Sequence, residues 1–492
     1  MTVDHLALLP LYWAAGTAVL ALLVDLLAGR RAVTVAVTAS GAALTGAAAL
    51  WVGAGPDRAS LCFDGCSYLA TPYAGLMATL FALLTVGALG LAAPMLRDGP
   101  PPGEFCFLLA CSMTGGVALG YAGDLVSLIV AVETLTLPLY VLVGLRGRRT
   151  ADRAAAEGAV TFFVVSVAAT AVALLGAALT YAATGSLRLS ASSAAVSTIL
   201  FPDATAPLAA VGATLLLAGL AFKVAAVPLH AWAPATYDAA PLPVAAYLST
   251  ASKLGGVVAL VALWRTLPAE RTGWTLAVLA AVTMTVGNLG ALRQTRMVRL
   301  LAWSSVAQVG YLLAPLAALA TAAGRADAVA AQARAAAIAY TIFFLVIEFG
   351  AFAAVTALRG PGRDGGDIAG YTGVARTRRA LGAALALALV GLAGLPPGLA
   401  GLFGKATVIR ALLDGGLAWL ALLLALNVVI GLAYYLRLVT TLYLPPPAPA
   451  DAPAATAPVV AWSVSAAIVV ATATAVAVGF APQLVFDLAA LT

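Results

Sequence analysis

Lys223, Lys253 and Lys405 are the only lysines in a chain of 492 residues that carries 23 arginines. Each lysine lies inside a long apolar run, whereas 22 of the arginines fall in polar breaks or at the ends of such runs. The remaining one, Arg437, lies near a run end, where its stem can snorkel to the surface. Chemistry gives a reason for this partition. A guanidinium stays protonated in proteins, while an ammonium loses its proton when it is desolvated or when a second cation approaches. Three switchable charges at hydrocarbon depth are candidate proton carriers. The alternative is static packing lysines, and against it stands a cost of at least ~2.5 kcal/mol for each charge placed inside a bilayer.

The acids follow the same logic. Glu133 sits in the middle of "LIVAVETLTLPLYVL", five residues before Pro138, and no other charged residue lies between Asp124 and Arg146. It needs a partner, and Lys223 on another helix is the type that would supply one. A protonated Glu133 bonded to a neighbouring helix is the bland alternative. Glu348, in "IFFLVIEFGAF", belongs either to a hydrophilic path or to a local structural pair, and Asp25 in "LLVDLLAG" reads as structural or interfacial. Of the two histidines, His5 is terminal. His230, in "VPLHAWAP", lies past a helix break and either relays protons near neutral pH or makes a structural hydrogen bond.

Two of the lysines sit beside interrupted helices. Pro228 follows Lys223 by five residues, and Gly394, Pro396, Pro397 and Gly398 interrupt the run that continues into Lys405. Such breaks expose backbone groups at membrane depth, which is tolerated only inside protein or against a watery cavity. A matched pair of interrupted spans in two halves of a chain is the mark of a repeat-built transporter site. The plainer alternative is that the prolines merely kink their helices.

The elements that must position these groups are membrane helices. Hydrophobic residues make up 63% of the chain and charged residues 9%, where a soluble domain carries roughly a quarter charged residues. About fourteen spans are expected, near 6–28, 32–54, 72–95, 104–122, 124–145, 156–182, 206–231, 241–264, 273–292, 299–322, 335–358, 380–412, 416–443 and 459–480. The first run lacks a basic lead and a clear cleavage site, so it reads as a retained span and not a signal peptide. The two interrupted spans are five apart, and an odd interval inverts the second copy. The expected fold is therefore all-α integral membrane, with two inverted five-helix repeats, spans 4–8 and 9–13. The chain divides into a three-helix segment (1–103), a first repeat (104–265), a second repeat (266–443) and a carboxy-terminal helix (444–492).

Orientation follows from arginine. One alternate set of loops holds fifteen: Arg30, Arg31, Arg97, Arg146, Arg148, Arg149, Arg153, Arg293, Arg296, Arg299, Arg359, Arg363, Arg376, Arg378 and Arg379. The other holds seven: Arg58, Arg188, Arg265, Arg271, Arg325, Arg334 and Arg410. The positive-inside bias puts the first set in the cytoplasm and both termini outside. The net charge of +6 thus has a topological explanation and calls for no nucleic acid. Cys62 and Cys66 share a loop on the outer side, where either a disulfide or two free thiols would fit. Cys106 and Cys111 read as core packing. No metal-binding spacing, phosphate-cradling loop or nucleophile motif stands out, and no flavin, haem or iron-sulfur cluster is expected in this chain.

Several stretches carry a resemblance: "ETLTLPLYVLVG", "GLAFKVAAVPLHAWAPATYDAAPLPVAAYLSTASKLGG", "RLLAWSSVAQVGYLL", "GLAGLPPGLAGLFGKATV" and "YYLRLVTTLY". The chain resembles the antiporter-like membrane subunits of proton-pumping NADH:quinone oxidoreductase (complex I), a family shared with Mrp-type cation/proton antiporters. The "STASK" form of span 8 is similar to the N-type branch, where the L and M branches usually place histidines. The resemblance implies that Glu133 pairs with Lys223 on the input side, that Lys253 is the central relay, and that a proton leaves outward from Lys405. It also implies a bacterial cell membrane, partner subunits of the M, L, K, J, A and H types, and NADH, FMN, iron-sulfur clusters and quinone held by those partners.

The chain departs from the family pattern at Gln308, where a histidine is usual, so passage from Lys253 to Lys405 would rely on water or Tyr311. It departs again at Ala235, Asp238 and Ala239, where the usual pattern is more acidic, and at Glu348, usually uncharged in the N branch. The rival readings are an Mrp-type antiporter or membrane-bound hydrogenase subunit on the same helices, and a purely structural scaffold.

Overall fold

The structure, a computed structural model, describes residues 2–63, 65–145, 153–189, 202–264, 267–359, 364–445 and 460–491. Arg146, Arg148, Arg149, Arg265 and Arg363 of the charge count lie outside the described residues. The chain opens with α1 (Leu9–Ala28), α2 (Arg31–Gly53), a hairpin of β1 (Arg58–Cys62) and β2 (Cys66–Ala70), and α3 (Pro72–Ala92). Then come α4 (Pro102–Gly120), α5 (Leu125–Gly144), α6 (Arg153–Thr184), α7 (Pro202–Val224), α8 (Trp232–Ala239), α9 (Leu242–Tyr247) and α10 (Lys253–Leu263). The second half holds α11 (Ala269–Leu292), α12 (Met297–Leu313), the short α13 (Ala322–Arg325), α14 (Asp327–Arg359) and the short α15 (Val374–Thr377). It closes with α16 (Arg379–Ala393), α17 (Leu399–Asp414), α18 (Ala418–Tyr443), α19 (Trp462–Phe480) and α20 (Gln483–Ala489).

Among the described residues, thirteen helical segments are long and apolar enough to cross a bilayer, and α16 and α17 together take the place of the single interrupted span expected over 380–412. The protein is an all-α, multi-pass membrane protein. Its helices sort by depth: nearly all of the stretch Leu242–Leu263 is buried, whereas α1 and α19 bury only 22% of their apolar windows. The outer helices turn Leu26, Leu27, Trp51, Val429 and Trp462 outward, as lipid-facing surfaces do, since backbone pairing inside the helix leaves only apolar side chains to meet hydrocarbon. Small residues let helices close up. A methyl group on Gly176 of α6 would stand 2.5 Å from the Leu216 nitrogen of α7, a backbone approach typical of membrane helix pairs.

Three features differ from expectation. Within 55–71, expected as a polar loop, Arg58–Cys62 and Cys66–Ala70 pair as antiparallel strands, with Cys62 opposite Cys66. Its strands are five residues each, too short to show a period against an apolar background, and tertiary contacts fix them. Leu69 donates to the Tyr121 carbonyl at 2.8 Å, and Tyr68 stacks on Tyr121 at 4.6 Å. Next, α14 begins eight residues before the expected 335, because "DAVAAQARAAA" is too polar to read as hydrocarbon yet rich in strong helix formers. The last is α20, which lies beyond the expected final span.

The arginine-rich end is tied together by Arg296. Its Nε donates to Asp238 at 2.7 Å and its Nη2 to Asp364 at 2.8 Å. That hydrogen bond to Arg296 holds the Asp364 carboxyl below the usual carboxylate range. The contribution to stability is therefore complete above the ordinary carboxylate range and is lost as pH falls through the lowered value. Arg296→Ala is expected to cost about 1 kcal/mol at neutral pH, since the cluster is one-third exposed and screened. It should also flatten the acid limb of thermal stability, measured by unfolding of the detergent-solubilised protein against pH.

Candidate proton-relay site

Asp124 caps α5 reciprocally with Ser127, and nine residues further on the helix presents Glu133. Across from it, Lys223 occupies the last turn of α7. Lys223 Nζ lies 2.6 Å from Glu133 Oε1, with only 5% of the lysine and 19% of the glutamate side chain exposed. The lysine also donates to Thr136 Oγ1 at 3.1 Å and to Ser166 Oγ at 2.8 Å. Thr170 donates to Glu133 at 2.6 Å, and the Tyr140 hydroxyl donates to Ser166. Every proton of the ammonium therefore has an acceptor, which is the condition for keeping a buried ion pair.

One residue past Lys223 the helix ends. Ala225 adopts φ 58°, a left-handed conformation that L side chains rarely take, and the chain turns through 225–231 before α8. The break frees carbonyls, and two of them meet side-chain donors. Lys253 Nζ donates to the Val224 carbonyl at 2.6 Å, and the Trp232 indole donates to the Phe222 carbonyl at 3.1 Å. Lys253 begins α10 after a π-helical stretch, Leu248–Ser252, and is wholly buried. Its ammonium also faces the rings of Trp232 at 5.5 Å and Tyr237 at 6.0 Å. A cation at the carbonyl end of a helix is favoured by the helix dipole, and ring faces add to it.

The second half repeats this arrangement. Helix α16 ends at Gly394, with φ 82°, and Lys405 of α17 donates to the carbonyls of Leu392 at 2.6 Å and Ala393 at 2.7 Å. A side chain at Gly394 would meet the Lys405 stem at 2.8 Å, so glycine both permits the turn and makes room for the amine. Gln308 shares the Leu392 carbonyl at 3.1 Å and donates to the Tyr435 hydroxyl at 2.9 Å, while Tyr340 donates to the Gln308 carbonyl oxygen. Tyr311 turns its ring toward Lys405 at 5.5 Å and accepts from Asn288 at 3.0 Å.

Among the described residues, the remaining candidates make no hydrogen bond to the three lysines. His230 sits at the first break with Nδ1 3.2 Å from the Pro228 carbonyl and its ring 5.0 Å from Trp303. Asp238 is held by Arg296 in the end cluster. Asp25 accepts from Thr34 at 3.1 Å. Cys62 and Cys66 are joined, with Cα atoms 3.9 Å apart; Cys106 is buried and Cys111 half-buried. Pro396 and Pro397 lie in the second break. Among the described residues, no group of three or more His, Cys, Asp or Glu gathers as a metal site. Sequence reasoning missed Thr136, Ser166, Thr170, Tyr340 and Tyr435. Thr136 was findable, since position i+3 from Glu133 shares its helix face; the hydroxyls on other helices depend on packing alone.

Known proteins share both the sequence and the shape. The family profile described as "NADH:quinone oxidoreductase/Mrp antiporter, TM" matches residues 122–431. NADH-quinone oxidoreductase subunit N of Salinispora tropica is 59% identical over 449 residues, covering 90% of this chain and 86% of that protein. Subunit N 2 of Streptomyces griseus is 41% identical, over 79% of this chain and 73% of that protein. A chain of respiratory complex I from Thermus thermophilus has a TM-score of 0.80 at 29% identity, covering 98% of this chain and 99% of its own length. A chain of the Mrp complex from Dietzia sp. reaches 0.82 at 23% identity, covering 99% of this chain and 97% of its own length, which is likeness of fold.

Proposed function

The chain belongs to the NADH:quinone oxidoreductase/Mrp antiporter membrane family, and from that premise we propose that it serves as the N-type, proton-translocating membrane subunit of NADH:quinone oxidoreductase. The observation that carries the relay reading is the 2.6 Å contact between Lys223 and Glu133. Quinone reduction in partner subunits alters the field at this pair. As the pair separates, the proton affinity of Lys253 changes, and a proton passes on toward Lys405. A change of one pKa unit corresponds to about 1.4 kcal/mol, so modest movements of a charged pair are enough to gate transfer.

The chain itself supplies no redox centre in this reading; NADH, FMN, iron-sulfur clusters and quinone belong to partners. Lys253 and Lys405 each meet the carbonyl end of a broken helix, five spans apart, which supports the two inverted five-helix units. The arginine bias supports a bacterial cell membrane orientation with both termini outside. The Cys62–Cys66 bond then lies in an oxidising compartment.

The test is purification through a tag on this chain from its own membranes. A quinone-reducing assembly is expected to co-purify and, reconstituted into vesicles, to translocate protons on addition of NADH and quinone in sodium-free buffer. A chain recovered without quinone reductase, or translocation that requires sodium, would place it with the cation/proton antiporters instead.

A further inference from the structure

Glu348 lies on α14 with no exposed surface, and neither carboxyl oxygen has a hydrogen-bond partner among the described residues. Among the described residues, the local structural pair that the sequence allowed is not formed. An unpaired buried polar group costs ~1–3 kcal/mol, and more when charged, so a position needing only volume would be expected to hold leucine or methionine. The surrounding turns of α14 are apolar, with Phe344, Leu345 and Phe352 adjacent.

The position of α14 gives the carboxyl something to do. This helix packs against α9, α10 and the π-helical stretch between them, which carry Lys253, and also against α12, α16 and α17, which build the Lys405 site. Phe352, one turn beyond Glu348, packs its ring 6.4 Å from that of Tyr237, whose ring faces Lys253. Tyr340, two turns before it, donates to Gln308, and Gln308 and Lys405 both donate to the Leu392 carbonyl. The carboxyl is close enough for its charge to interact with Lys253, Tyr237, Tyr340 and Tyr435.

We propose that Glu348 is the proton-carrying group between Lys253 and Lys405, an inference that rests on the relay reading above. An N–H bond breaks at the Lys253 ammonium and, across intervening water, an O–H bond forms on the Glu348 carboxylate, leaving a neutral amine and a neutral acid. The O–H bond of the acid then breaks, an N–H bond forms across intervening water at the neutral Lys405 amine beside Tyr340 and Gln308, and the carboxylate is restored. No electron moves. The competing view is a permanently protonated acid that only fills space.

The test uses the whole complex in vesicles. Glu348→Gln keeps the shape but cannot titrate, and is expected to lower the proton-pumping rate roughly tenfold, a modest loss for removing a positioned proton carrier. Glu348→Asp, which still titrates, is expected to restore most of that rate. Normal pumping by Glu348→Gln would overturn the proposal. Should Glu348→Gln fail to assemble, infrared difference spectra decide: the carboxyl band that Glu348→Asp shifts is expected to change on NADH addition, and a band indifferent to turnover overturns the proposal. Lys253→Arg separates the two levels. If it pumps normally, the relay reading itself has failed; if it stops pumping while Glu348→Gln does not, only the role of Glu348 has.

Discussion

Lys253→Arg is expected to abolish proton pumping in reconstituted vesicles while the complex still assembles. Lys253 is wholly buried, and its amine holds the Val224 carbonyl at 2.6 Å. A guanidinium keeps the positive charge, the donor to that carbonyl and the attraction to the Trp232 and Tyr237 rings. What it loses is the ability to let a proton go. Removing a positioned proton-transfer group commonly costs 10²–10⁴-fold, so a loss of about a hundredfold or more is expected. The larger head group is expected to cost about 1–3 kcal/mol of packing strain, which makes assembly the necessary control. Normal pumping by an assembled Lys253→Arg complex would exclude the relay.

The second large effect concerns Glu133 and Lys223. Lys223→Met strands the carboxylate, and Glu133→Gln strands the ammonium, so each single change is expected to stop pumping and to destabilise the subunit. The destabilisation should be about 2 kcal/mol, below the 3–5 kcal/mol typical of fully buried pairs, because Glu133 keeps 19% of its side chain exposed. Combining the two changes is expected to recover thermal stability, since no uncompensated charge remains, but not pumping. Unfolding temperature and vesicle acidification, measured on the same three variants, separate the outcomes. A double variant that assembles and pumps would reduce the pair to a static strut.

Much of this architecture was legible in the residues. The exclusion of lysine from loops singled out three positions, and the prolines and glycines at 228, 394 and 396–398 marked the breaks, because both signals are local and chemical. Family membership was legible in "STASK" and "GLAGLPPGLAGLFGKATV". The partners of each lysine were not legible. Which carbonyl an amine reaches depends on where the helix ends, and the end of α7 at Val224 lies four residues before Pro228, set by the left-handed turn at Ala225. Nor could the chain show that Ser166 and Thr170 of α6 face α5 and α7, since serine and threonine are ordinary in membrane helices. The sequence left open whether Glu348 had a partner, and only the packing of α14 answers that.

The carbonyl grip of Lys253 and Lys405 ties chemistry to mechanics. An ammonium anchors the loose tip of a half-helix firmly, whereas a neutral amine is a poorer donor and holds it less well. In the proposed relay, each arrival or departure of H⁺ would therefore also tighten or slacken a joint in the main chain. Conduction and bending would then be one event, and stiffening either joint would be felt as a change in turnover without touching a single ionisable group.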